Sequence, residues 1–107
     1  MLLSDFLEGF YIIMTTESNK NNAYKIANLL LKEKLIPCVS FNNIESHFWW
    51  DSKINQSKEV QLVIKCKQEN INRVCRKISK LHSYEVPEII YFPVLADKDY
   101  QQWVNSF

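Results

Sequence analysis

Glycine is almost missing from this chain: Gly9 is the only one in 107 residues. Phosphate-cradling loops of the P-loop or dinucleotide type need several glycines within a few positions, so the count alone excludes them. Many nucleotide hydrolases and dehydrogenases go with them. Arginine is scarce as well, with only Arg73 and Arg76, both in one segment. A phosphate hydrolase of the acylphosphatase type needs an arginine and a glycine-rich backbone to hold the anion, and this chain is poorly supplied for that.

Cysteine is sparse and unpatterned. Cys38, Cys66 and Cys75 offer no C-x-x-C spacing, which removes zinc knuckles and thioredoxin-type redox motifs. An odd count without a secretory signal fits a reducing compartment and points to the cytoplasm. Long apolar runs are absent too. The stretch Phe10 to Met14 is far too short for a membrane span or a signal-peptide core, so a soluble protein is expected. A large charge of either sign is also missing: 13 basic and 12 acidic residues leave a net charge of +1. Near balance argues against nucleic acid or an anionic membrane as partner, although net charge does not fix how charges are distributed.

What is present is a core. Hydrophobic residues make up 47% and charged residues 23%, enough for one packed domain over 1–107, with 1–9 as an N-terminal extension. Residues 10–16 (Phe-Tyr-Ile-Ile-Met-Thr-Thr) read as a strand apolar on both faces. Residues 18–34 read as a helix with Ser18 as N-cap and Ala23, Ile26, Ala27, Leu30 and Leu31 as its stripe. Residues 36–50 read as extended and end in His47-Phe48-Trp49-Trp50. Asp51-Ser52 makes a tight turn, and 53–66 return as a second strand, forming a long hairpin. Along its inner half Val60, Leu62, Ile64 and Cys66 alternate with Gln61, Val63 and Lys65. A second helix spans 69–82 on Ile71, Val74, Cys75, Ile78 and Leu81. A last strand spans 88–94, and Pro93 places it at a sheet edge. Asp97 caps a short final helix carrying Tyr100, Trp103 and Val104.

This order makes the fold α+β: a ferredoxin-like βαββαβ sandwich with a long β2–β3 hairpin and a short C-terminal helix. Two helices cover only one face of four strands, yet the first and last strands are apolar on both faces. Self-association is the simplest cover for the second face, with the aromatic hairpin as its arm. The alternative is that the terminal helix folds back over it. An RNA-recognition module shares the topology but needs exposed aromatics on the central strands, and Gln61, Val63 and Lys65 supply none.

Several stretches are joined in one order: Leu-Leu-Lys-Glu-Lys-Leu-Ile-Pro-Cys38-Val; Trp50-Asp51-Ser52-Lys53-Ile54 followed by Lys58-Glu59-Val60-Gln61; His82-Ser83-Tyr84-Glu85-Val86-Pro87-Glu88; Pro93-Val94; and Asp99-Tyr100-x-x-Trp103. Together they resemble the CutA family of divalent-cation-tolerance proteins over roughly residues 10–105. The resemblance implies a homotrimer built like the PII-type signalling proteins, with hairpin arms pairing between subunits. It further implies a part in tolerance of, and response to, copper and other divalent metals, with ions or small ligands held in clefts between subunits. No catalysis is expected and no cofactor is required. The alternative is a PII-like small-molecule-sensing or protein-interaction trimer without a physiological metal role.

Residue by residue, the resemblance places Trp50, Glu59, Lys65, Tyr84 and Glu88 along the cleft. Glu59 and Glu88 could act as an oxygen pair for a hard cation, or simply form a solvated network with Lys65. For copper binding it points to His82, and to Met14 where some members carry a cysteine at the end of the first strand. A neutral imidazole suits copper or zinc, and a thioether suits Cu(I). Leu81 stands where those members have a second histidine, and Ser83 replaces the family's proline, which weakens the metal site. The plainer reading of His82 is a helix-terminal residue bonded to the last carbonyls. His47, near the hairpin tip, has no second ligand at metal spacing. The three cysteines read as small core residues.

Overall fold

The computed structural model describes residues 9–107, so most of the expected N-terminal extension lies outside the described residues. The chain runs β1 (Phe10–Glu17), α1 (Lys20–Lys32), β2 (Cys38–Trp50), β3 (Lys53–Cys66), α2 (Ile71–Leu81), β4 (Ile89–Val94) and α3 (Lys98–Asn105), with a 3₁₀ turn at Gln68–Asn70 before α2. The four strands form one antiparallel sheet in the order β2-β3-β1-β4. β4 is an edge, as Pro93 requires.

The helices form for local reasons. Asn19, not Ser18, caps α1: its side-chain oxygen accepts from the Asn22 N–H at 2.9 Å, and the Ser18 hydroxyl accepts from the Asn22 side chain at 3.1 Å. α1 therefore starts two residues later than the apolar pattern alone suggests. Its chain reverses through Lys34, whose φ of 56° is left-handed. Asp97 sits at the N-cap of α3 without a side-chain capping bond.

The core lies between the two main helices and one face of the sheet. Ile13, Leu62, Ile64 and Cys66 from the strands meet Ala23, Ile26, Ala27, Leu30, Val74 and Ile78 from the helices. Burying each large aliphatic side chain stabilises the fold by about 1.5–3 kcal/mol. Leu31, expected on the stripe of α1, is instead exposed. Of the cysteines, Cys66 is fully buried, while Cys38 and Cys75 are half-buried.

Among the described residues, the second face is covered only at one end. Phe10 packs edge-on against Tyr100 of α3 at 6.0 Å, and Val104 is buried. The terminal helix thus does fold back, as the alternative reading required, but only over part of the face. Ile90 and Phe92, paired with Met14 and Ile12, stay exposed at 48% and 39%.

The hairpin extends past the sheet. β1 pairs with β3 only over Val60–Cys66, so among the described residues Lys53–Glu59 and the facing Ile44–Trp50 have no third strand beside them. The radius of gyration is accordingly 15.0 Å, against about 13 Å for a compact domain of this length. At the tip Asp51 and Ser52 both have positive φ, 52° and 61°, the geometry of a two-residue I′ turn. The Asn55 side chain donates to the carbonyls of Trp50 and Lys53, each at 3.1 Å, and ties the turn shut.

Candidate functional site

Glu17 closes β1 and is fully buried. Strand alternation puts it on the helix side with Ile13 and Thr15. Three donors converge on it. The Ser83 N–H and hydroxyl bond to its two oxygens at 2.9 and 2.5 Å, and the Ser18 N–H donates at 2.9 Å. Burial pushes the carboxyl pKa up, but the Ser83 bonds, then the Ser18 N–H, outweigh it and hold the pKa below its ordinary value.

His82 lies beside this carboxylate, with Nδ1 3.5 Å from Glu17 Oε2 and its side chain fully enclosed. Its backbone N–H ends α2 by donating to the Ile78 carbonyl at 2.9 Å. Its Nδ1 accepts from the Tyr84 N–H at 3.1 Å. That places the ring hydrogen of the neutral imidazole on Nε2, which is buried without a partner among the described residues, as is Thr15 Oγ1. The Tyr84 hydroxyl then donates to Glu59 at 2.6 Å. Burial, then this bond to a carboxylate, pushes the Tyr84 phenol well above its ordinary pKa.

These residues form a chain of bonds that pins the loop after α2 to the end of β1 and the middle of β3. It is not a nucleophile relay. Ser83 donates directly to the carboxylate, and no histidine stands between them to take its proton.

Of the five cleft residues, only Glu59 and Tyr84 are hydrogen-bonded to each other within one chain. Lys65 lies six positions along β3, roughly 20 Å away. Its ammonium is 3.9 Å from the Cys38 sulfur and 5.5 Å from the centre of the Tyr100 ring. Tyr100 is the main influence holding the Lys65 pKa above its ordinary value; burial opposes it, and Cys38 assists. The expected network of Lys65 with Glu59 and Glu88 is therefore not formed within one chain. Trp50 sits at the hairpin tip facing Lys53, again roughly 20 Å from Glu59. Glu88 is exposed just before β4.

The two copper candidates do not meet either. Met14 alternates with the buried Ile13 and Thr15 and so points to the opposite face of the sheet from Glu17 and His82. No group of three or more His, Cys, Asp or Glu side chains is placed to hold a metal ion among the described residues. The described residues of a single chain therefore do not fit a metal centre of three such ligands. His47 is 3.5 Å from Glu45 on the exposed arm.

A broad cleft of about 580 Å³ opens where α1 begins, beside the middle of the hairpin. Lys20, Asn43, Glu45, Lys58 and Glu59 line it with charge of both signs. Glu59 thus faces a cleft on one side and holds Tyr84 on the other.

Glu17 is the residue that sequence reasoning passes over. Its signal is its place: a carboxylate two positions beyond Thr15, in phase with Ile13, ending an otherwise apolar strand. No helix of the described residues is long and apolar enough to cross a membrane.

The family model for the CutA1 divalent ion tolerance protein matches residues 11–106. A divalent-cation tolerance protein CutA from Pyrococcus horikoshii is 34% identical over 94 residues, covering 87% of this chain and 92% of that relative. The solved structure of the periplasmic divalent cation tolerance protein CutA from Archaeoglobus fulgidus superposes with a TM-score of 0.86 at 31% identity, covering 89% of this chain and 94% of that one. The crystal structure of CutA from Xylella fastidiosa superposes at 0.87 with 30% identity, covering 91% and 95%.

Proposed function

Because the chain belongs to the CutA1 divalent ion tolerance family, we propose that it works as a homotrimer in the response to divalent metal ions, copper among them. Ions or small ligands bind in clefts between its subunits, and it catalyses no reaction. One observation carries the reading: a chain of this family leaves Ile90, Phe92 and the hairpin aromatics open to solvent. Trp49 is 69% exposed and Ile54, facing it across the hairpin, 63%. Apolar area of this kind is stabilised by burial against another copy.

Assembly also bears on the ligand. Trp50 and Lys65 are too far from Glu59 to share a ligand with it within one chain, so a cleft that unites them needs them from different subunits. The mixed charge around Glu59 gives the alternative reading, small-molecule sensing without a metal role, its own support.

Light scattering coupled to size exclusion is expected to give three times the chain mass. A monomer at micromolar concentration sinks the proposal. Calorimetric titration of the assembled protein with Cu(II), Cu(I) and Zn(II), repeated on His82→Ala and Glu59→Gln, separates the two readings. Stoichiometric binding that falls in either variant supports the metal role, and no heat with any of the three ions supports the alternative.

A further inference from the structure

The near-zero net charge conceals a strong segregation. α1 carries Lys20, Lys25 and Lys32; α2 carries Arg73, Arg76, Lys77 and Lys80; neither helix holds an aspartate or a glutamate. Seven of the 13 basic residues thus lie on the two helices, and all 12 acidic residues lie elsewhere.

These cations share one surface. Both helices bury their apolar stripes against the same sheet face, and Lys77 of α2 bonds to Glu33 just past α1 at 3.1 Å. The other six helical cations, and Lys34 beside them, are exposed and in no ion pair among the described residues. Carboxylates border this face. Glu33 is tied to Lys77, Glu69 is 4.0 Å from Lys67, Glu85 lies in the loop beyond α2, and Glu45 and Glu59 line the cleft at the start of α1 that Lys20 shares.

Between the cations stand exposed hydrogen-bonding side chains: Asn21, Asn28, Asn72 and Ser79. Lysine, arginine, asparagine and serine together are the set that contacts phosphate and sugar. Large exposed apolar side chains on the two helices, among the described residues, are only Tyr24 and Leu31. The Tyr24 ring is held edge-on to Phe41 at 5.0 Å. A lipid surface gains from apolar insertion, and this face has little to insert. It also offers no row of free rings for stacking bases.

We propose that the α1–α2 face binds the phosphodiester backbone of nucleic acid, without reading its sequence. Counterion release drives such binding and needs charge complementarity rather than a shaped groove. The sheet face and hairpin, where self-association is proposed, are left free for assembly.

The test is fluorescence anisotropy of the full chain with labelled oligonucleotides of unrelated sequence. Affinity is expected to be alike across sequences and to fall with salt, with a log–log slope of about −3 to −6 for duplex DNA as three to seven phosphates are neutralised. K25Q/R76Q is expected to weaken binding severalfold and to make that slope shallower by about 2. K53Q/K98Q, which removes the same charge outside α1 and α2, is expected to leave both unchanged. All four positions are exposed, and circular dichroism checks that each variant is folded. No binding at about 50 mM salt overturns the proposal, as does an equal loss in both variants. Tighter binding to polyglutamate or to phosphatidylserine vesicles than to the oligonucleotides also overturns it, assigning the face to an acidic protein or a membrane.

Discussion

Ser83 bonds to Glu17 twice, through its N–H at 2.9 Å and its hydroxyl at 2.5 Å. The two residues are 66 positions apart. This pair of hydrogen bonds joins the loop leaving α2 to the last residue of β1 and satisfies a carboxylate with no exposure. A buried charge costs several kcal/mol unless it is fully bonded, so the loop conformation and the charge state of Glu17 depend on each other.

Acid is expected to weaken the fold through Glu17. Its folded pKa lies below its ordinary value near 4.5, so its contribution is full above that pH and is lost as pH falls through the folded pKa. Glu17→Gln is expected to cost about 1.5–3 kcal/mol at neutral pH, since bonds to a charged group are lost. Urea unfolding of both proteins from neutral to acid pH checks this. The gap between them should close below about pH 4.5.

Tyr84→Phe keeps the ring and removes the hydroxyl that serves Glu59. Glu59 is 8% exposed, so its carboxylate loses a short bond with little water to replace it. A loss of about 1–3 kcal/mol in chemical unfolding is expected. A change below a few tenths would show that solvent replaces the phenol.

Asn19→Ala is expected to destabilise by about 1 kcal/mol, because it removes the acceptor for the Asn22 N–H. If Ser18 were the cap, Ser18→Ala would carry the larger cost. Thermal melts of the two single variants decide between them.

Ser52→Gly is expected to stabilise. Ser52 sits at φ 61°, where a side chain costs about 1–2 kcal/mol, and the entropy of the added glycine offsets part of the gain. A rise in denaturation midpoint without a change in oligomeric state confirms it.

Burial pushes the Cys66 thiol up to about 12, assisted by Cys75. Native protein at neutral pH should leave Cys66 unlabelled by a thiol reagent, and unfolded protein should label all three cysteines. Because the folded pKa is raised above the ordinary 9.0, this contribution is present below that pH and is lost as pH rises towards 12.

Local sequence pattern alone determined the order of elements, the α+β class, the hairpin and the edge position of β4. Each rests on local facts: a period of two or near 3.6, two turn residues, and a proline that cannot donate. Ile13, Leu62 and Ile78 announce their burial in the same way. The ordered motifs from Cys38 to Trp103 carried the family. Tertiary structure decided the rest. It moved the cap of α1 to Asn19, because capping depends on where a side-chain oxygen lies rather than on residue type. It separated Lys65 from Glu59 and Met14 from His82, because strand length and alternation set distance and face. It joined Ser83 to Glu17 and gathered the helical cations on one surface. Both are long-range relations fixed only when α1 and α2 pack side by side on the sheet, and a net charge of +1 holds no trace of them.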